Sequence, residues 1–248
     1  MNARSIGSTL ARWHIRPMTD VDIPLAVEPL RLCDGFVMDV LVDRPADAPK
    51  AAILLLSPIF GVDEIFARTM RNWSRAGYLA VAPDYFARVF PGPIQHSDEG
   101  FQAAIGRVKA VDRRQMLLDL REVGAHFQNA GPLFIGGYCA GGEPALQLAL
   151  QGFGDAYVIF HAARLGLYAD RLAGIDKPLD IHFGGADPLV PMEEVERIRA
   201  GAAGKSDIRI TVHPDAAHGF TQQGSRNFQA AAAAASFEAA RDFFASRP

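Results

Sequence analysis

The chain has 248 residues, enough for one large domain or two small ones; 49% are hydrophobic, ample for a core, and 21% charged, an ordinary share for a globular protein. A formal net charge of −3 without a basic run excludes a nucleic-acid footprint, and the longest apolar stretch, residues 51–56, is far too short to span a bilayer. Two cysteines, Cys33 and Cys139, supply neither a disulfide framework nor a metal-ligand spacing, so a reduced, cytoplasmic setting with no metal and no cofactor is expected.

Residues 1–24 carry Arg4, Arg12 and Arg16 among Ser5, Ser8 and Thr9, with no acid before Asp20. That composition has a transit-peptide flavour but lacks an apolar h-region, and we read it as an N-terminal extension packed on the domain. Residues 27–33 and 36–43 form a hairpin across Asp34-Gly35. Residues 51–57 are continuously apolar, as buried parallel strands are, and 63–76 read as a helix closed by Gly77. A strand follows at 78–83, then a Pro- and Gly-bearing loop at 84–100, long enough to carry function. Helical pattern covers much of 101–129, and strands are predicted at 132–136, 156–160, 179–183 and 208–213. Helices are predicted at 143–150, 193–203 and 227–244; the last carries Phe228, Phe237, Phe243 and Phe244 as a core stripe. No repeat or linker interrupts 25–248, which we read as a single α/β domain, its mostly parallel sheet covered by helices on both faces.

Gly137-Tyr138-Cys139-Ala140-Gly141-Gly142 lies where a predicted strand turns sharply into a helix. It has the G-x-nucleophile-x-G spacing of a nucleophile elbow, with cysteine as the central residue. The central residue of such a turn is strained, so its neighbours on both sides must be small. The helix that begins there points its free N–H groups at the thiol, which favours thiolate and then an oxyanion. A nucleophile needs a base, and the base needs an orienting acid, in the chain order nucleophile, acid, histidine. Asp187 and His218 follow Cys139 in that order, each just past the C-terminal end of a predicted strand, the edge where ligand and catalytic groups gather in open α/β sheets. Asp180, at a strand start, and Asp215, too close to the base, are weaker acids for the role; His213 competes with His218 but lies before Pro214 rather than in the loop before Gly219. His161 ends a strand on the same edge and either lines the pocket or packs; His182 reads as a core residue and Cys33 as structural.

These segments together resemble the dienelactone hydrolase (carboxymethylenebutenolidase) family of α/β-hydrolases, from about Pro29 to Phe244. The resemblance rests on Ile59-Phe60-Gly61-Val62, Gly77-Tyr78, Ala82-Pro83-Asp84-Tyr85-Phe86-Ala87-Arg88, the cysteine elbow, Gly184-Gly185-Ala186-Asp187 and Ala217-His218-Gly219-Phe220. It implies an α/β-hydrolase fold and cysteine-dependent hydrolysis of esters or enol-lactones through a thioester. An oxyanion hole is expected from the amides of Ala140 and Ile59; the second agrees with the sequence, since Pro58 has no N–H and Ile59 is the first free amide past it. Substrate-facing residues implied by the resemblance are Arg88, Tyr85, Phe60 and Gln222. Two positions depart from the family pattern. Pro58 stands where a glutamate is expected, with Glu64 reading as a surface carboxylate rather than its substitute, and Gln222 stands where the second carboxylate-binding arginine is expected, with Arg226 four residues on. The expected partner is a small-molecule ester or lactone, with no nucleic acid or membrane, and the protein acts as a monomer or homodimer. Thioester hydrolysis or acyl transfer on the same triad, and a non-catalytic binding module on the same fold, remain as alternatives.

Overall fold

A computed structural model describes residues 25–247; the expected extension at 1–24 lies outside the described residues. Eight strands form one sheet: β1 (Ala26–Arg31), β2 (Val37–Asp43), β3 (Ala52–Leu56), β4 (Leu79–Pro83), β5 (Leu133–Tyr138), β6 (Ala156–Phe160), β7 (Leu179–Gly184) and β8 (Ile208–His213). Their spatial order is β1-β2-β4-β3-β5-β6-β7-β8; β2 runs antiparallel to β1 and β4, and the remaining pairings are parallel. The β1–β2 hairpin closes over a three-residue loop in which Gly35 adopts φ +87°, a conformation that costs glycine little.

The helices are α1 (Glu64–Arg75), α2 (Asp98–Ala110), α3 (Arg113–Phe127), α4 (Gly142–Leu150), α5 (Met192–Gly201) and α6 (Ala230–Ala245). Alternation along β3 divides the core. Ala52, Leu54 and Leu56 pack with Leu120 and Val123 of α3, Leu146 of α4 and Ile198 of α5, while Ile53 and Leu55 share a cluster with Phe66, Met70 and Trp73 of α1 and Phe243 and Phe244 of α6. Each such fully buried side chain contributes about 2 kcal/mol of apolar burial. The indole N–H of buried Trp73 donates to the Tyr138 hydroxyl at 2.9 Å, which satisfies both polar tips inside the core.

Three boundaries differ from the sequence reading. The helical stretch at 101–129 is two helices, because the Asp112 side chain accepts from the amides of Arg114 and Gln115 and starts α3 afresh. Helix α2 begins earlier than expected, at Asp98, with the Ser97 hydroxyl accepting from the Gly100 amide. Helix α6 begins at Ala230 rather than 227, since the Phe228 and Gln229 amides are drawn to the carbonyls of Ser225 and Phe220. Phe228 therefore precedes the helix and lines a cavity with Phe237, while Phe243 and Phe244 fill the core. A 3-10 segment, Leu165–Gly174, was not foreseen. No described helix is long and apolar enough to cross a membrane.

Candidate active site

The parallel strands deliver their following residues to one edge: 57–62 after β3, 84–97 after β4, Cys139 after β5, His161 after β6, Asp187 after β7 and His218 after β8. Cys139 has φ +52°, a left-handed conformation rare for a non-glycine residue. The turn closes only because its neighbours lack side chains: a Cβ on Gly141 would sit 2.2 Å from the Leu56 carbonyl oxygen, and one on Gly137 2.6 Å from the Gly141 oxygen.

The three expected side chains are brought into one chain of contacts. His218 Nε2 lies 3.1 Å from Cys139 Sγ, and His218 Nδ1 lies 2.8 Å from Asp187 Oδ2. The other carboxylate oxygen of Asp187 accepts from the Leu189 amide at 2.8 Å, so this fully buried carboxylate is held from both sides. Burial alone would lower the affinity of the His218 ring for its proton. Hydrogen bonds to Asp187 and Cys139, with the charges on both, overturn that effect and raise its pKa to about 10.

Other residues brace this chain without a sequence motif to announce them. Asn227 donates from Nδ2 to the His218 carbonyl at 2.8 Å, tying the base loop to the segment before α6. His161 is fully buried with φ +40°; its Nε2 lies 2.8 Å from the Thr221 hydroxyl, and its ring meets His218 edge-on at 5.4 Å. Burial holds the His161 pKa well below the ordinary histidine value, and the charge of His218 pushes the same way, so it is a neutral backing rather than a pocket lining. The rivals lie elsewhere. Asp180 Oδ2, His182 and His213 form a separate series that runs from the core to a half-buried end, with 3.1 Å between Asp180 and His182, 3.2 Å between His182 and His213, and Arg209 donating to Asp180.

Ala140 lies in the first turn of a 3-10 helix, Cys139–Gly141, where amides have no intrahelical acceptor. The Ile59 amide donates to no backbone carbonyl among the described residues. Beside Ala140 a small pocket is walled by Tyr85, Phe86, Val108, Val111, Met116 and Pro144. Among the described residues no group of three or more His, Cys, Asp or Glu side chains is arranged to hold a metal.

The model of the dienelactone hydrolase family matches residues 38–247. The chain belongs to the dienelactone hydrolase family. Curated carboxymethylenebutenolidases from Pseudomonas putida and Pseudomonas knackmussii are each 29% identical over 218 residues, covering 86% of this chain and 92% of theirs. The crystal structure of a Klebsiella pneumoniae protein assigned as a dienelactone hydrolase superposes with a TM-score of 0.79 at 24% identity, over 90% of this chain and 98% of that one. A dienelactone hydrolase-like promiscuous phosphotriesterase from metagenomic libraries gives 0.66 at 20% identity, again over 90% and 98%. These structural likenesses support the α/β-hydrolase fold.

The expected substrate-facing residues are disposed unequally. Tyr85 is buried against the pocket, its hydroxyl donating to the Ser57 carbonyl at 2.6 Å, and burial raises its pKa far above the ordinary phenol value. Phe60 stacks on His96 at 3.9 Å, and Gln222 sits in the base loop with its amide donating to the Gly219 carbonyl. Arg88, expected to face the substrate, is bonded to two carboxylates of its own chain. Its Nε and Nη2 donate to the two carboxylate oxygens of Asp119 at 2.6 and 2.9 Å, Nη2 also meets Asp34 at 2.7 Å, and the guanidinium covers the Phe36 ring. A planar fork matched to a carboxylate that is only 1% exposed is already occupied. Glu64 opens α1 beside its cap Asp63, and Arg226 is exposed.

Proposed function

We propose that this chain hydrolyses carboxylic esters or lactones through a thioester on Cys139. The observation that supports it is the unbroken series Cys139 Sγ, His218, Asp187, spaced 3.1 and 2.8 Å, at the edge where a strained elbow presents the sulfur. His218 takes the thiol proton, and Asp187 holds the ring in the tautomer that faces sulfur. Hydrogen bonds to Asp187 and Cys139, with the charges on both, raise the proton affinity of the ring against its burial, which suits it to hold the proton it takes.

The thiolate then attacks the acyl carbonyl. A C–S bond forms, and the carbonyl electron pair moves to oxygen, which the amides of Ala140 and Ile59 receive. Collapse breaks the C–O bond; His218 returns its proton to the departing alkoxide, or to the enolate of an opened lactone. Water attacks the thioester with His218 as base, releasing the acid and restoring the thiol. Pro58 removes a carboxylate that would otherwise assist ionisation, so in this reading His218 alone activates the sulfur. With Arg88 and Asp119 paired and Gln222 neutral, the reading favours uncharged esters and lactones over carboxylated ones.

The test is turnover of p-nitrophenyl acetate and of matched enol-lactones with and without a carboxylate, for wild type and Cys139→Ala. Expected are activity lost in the variant, an acetylated Cys139 trapped by mass spectrometry, and no preference for the carboxylated lactone. Equal activity in the two proteins would overturn the role of Cys139, and two equally inert proteins would leave a binding module.

A further inference from the structure

Helix α2 buries two side chains, Ala104 and Arg107, and the second is a cation. Arg107 is 3% exposed. Its Nη2 donates to the Ile59 carbonyl at 2.5 Å, and its Nη1 donates to the carbonyls of Gly92 at 2.8 Å and Phe90 at 3.2 Å. Its guanidinium carbon lies 4.3 Å from the centre of the Phe86 ring. Burying a guanidinium is costly, and here its Nε has no partner among the described residues, so stability alone is a poor reason for an arginine at this place.

The acceptors give a better one. Ile59 lies between two planar peptide groups. The plane before it is held through the Pro58 carbonyl, which accepts from the Gly61 amide at 3.0 Å; the plane after it is held through its own carbonyl, by Arg107. The first plane sets the direction of the Ile59 N–H, and the second anchors the turn that carries it. The same segment is tied to the loop after β4 by the Ile94 amide, which donates to the Phe60 carbonyl at 2.9 Å, and Arg107 itself spans the two. A Cβ on Gly61 would come 3.3 Å from Arg107 Nη2, so the turn is tight against the guanidinium.

We propose that Arg107 is the positioning residue of the oxyanion hole: from α2 it locks the 58–61 turn and the loop at 90–94 together so that the Ile59 amide is preorganised for the developing oxyanion. This rests on the reading of Ile59 as an oxyanion donor given above. Arg107 touches no reacting atom. Its loss leaves the Cys139–His218–Asp187 series and the Gly61–Pro58 bond in place but frees the Ile59 carbonyl and unties the 58–61 turn from the loop at 90–94, so that the turn carrying the donor can shift, and misplacement by about 1 Å costs on the order of a hundredfold in rate.

The experiment separates the oxyanion hole from the thiol. In a Cys33→Ser background, so that Cys139 is the only thiol, Arg107→Met and Arg107→Lys are compared with the parent in two reactions. Ester hydrolysis needs the oxyanion hole; alkylation of Cys139 by iodoacetamide, a displacement at saturated carbon, does not. Expected for Arg107→Met is a fall in kcat of about a hundredfold with KM little changed, Cys139 alkylated at the parental rate, and partial recovery of kcat with millimolar guanidinium but not urea. Arg107→Lys, with one ammonium for three carbonyls, is expected between the two with the same split. Parental kcat in Arg107→Met, or hydrolysis and alkylation falling together, would overturn the proposal, as would failure of both variants to fold. An inactive parent, or activity surviving Cys139→Ala, would instead count against the ester-hydrolase reading itself.

Discussion

Cys139 is held at φ +52° by two glycines whose missing side chains make room for backbone, and the strain is local to the residue that carries the sulfur. The room at Gly141 is bounded by the Leu56 carbonyl, which cannot move without shifting β3. Gly141→Ala is therefore expected to cost about 3 kcal/mol or to prevent folding, read as a drop in thermal midpoint; an unchanged midpoint would show that the elbow relaxes freely. At Asp187 the issue is orientation. Asp187→Asn keeps the shape but presents an amide to His218 Nδ1, and the ring then favours the wrong tautomer. A loss in kcat on the order of 10⁴ is expected with the fold intact by circular dichroism; a loss under tenfold would remove Asp187 from the proposed triad.

Between elements, the contacts that matter most are those a linear pattern does not encode. The tip of the β1–β2 hairpin is clamped to α3 twice, by Arg88 bridging Asp34 and Asp119 and by the Cys33 amide donating to Glu122 at 2.7 Å. Arg88→Ala would strand a buried Asp119 with Gln115 as its remaining partner, at a cost of about 3 kcal/mol in urea unfolding. The same variant is expected to leave the ratio of kcat/KM between carboxylated and uncharged esters unchanged. A tenfold shift in that ratio would return Arg88 to the substrate. Helix α1 offers a simpler check: Asp63 caps it by accepting from the Phe66 amide at 2.8 Å, and Asp63→Ala is expected to lose about 1 kcal/mol.

For the molecule as a whole, three histidines set opposite limits on pH. Burial, with the charge of a neighbouring histidine, holds His161 and His213 below the ordinary value of 6.5, so the unfolded chain binds protons there that the folded one refuses. Stability accordingly falls as pH drops below about 6.5. His218 has the opposite sign: its folded value of about 10 lies above 6.5, so the stability it contributes is complete below 6.5 and is lost as pH rises through 10. Urea midpoints measured from pH 5 to 10 are expected to peak near 6.5, and His161→Phe to flatten the acid side in part, with His213 still titrating there, and to leave the alkaline side unchanged. A midpoint that rises steadily toward pH 5 would contradict the buried, neutral His161.

Strands and their order of function were legible along the chain because each carries a local cause: continuous apolar runs at β3, β5 and β6, alternation at β8, and glycines flanking Cys139 where backbone leaves no room. Cys139, Asp187 and His218 stood out because each follows a strand, and parallel strands bring such residues to one edge. Helix starts at Ser97 and Asp112 also carry local signals, in their capping side chains. The partners of Arg88 and Arg107 had none. Nothing in the sequence pairs Arg88 with Asp119, 31 positions away, or sets Arg107, in the last turn of its helix, against the carbonyl of Ile59, 48 positions back. A sequence states which groups an arginine can bond, whereas only the packed chain decides which carboxylate or carbonyl is near enough, and dry enough, to hold it.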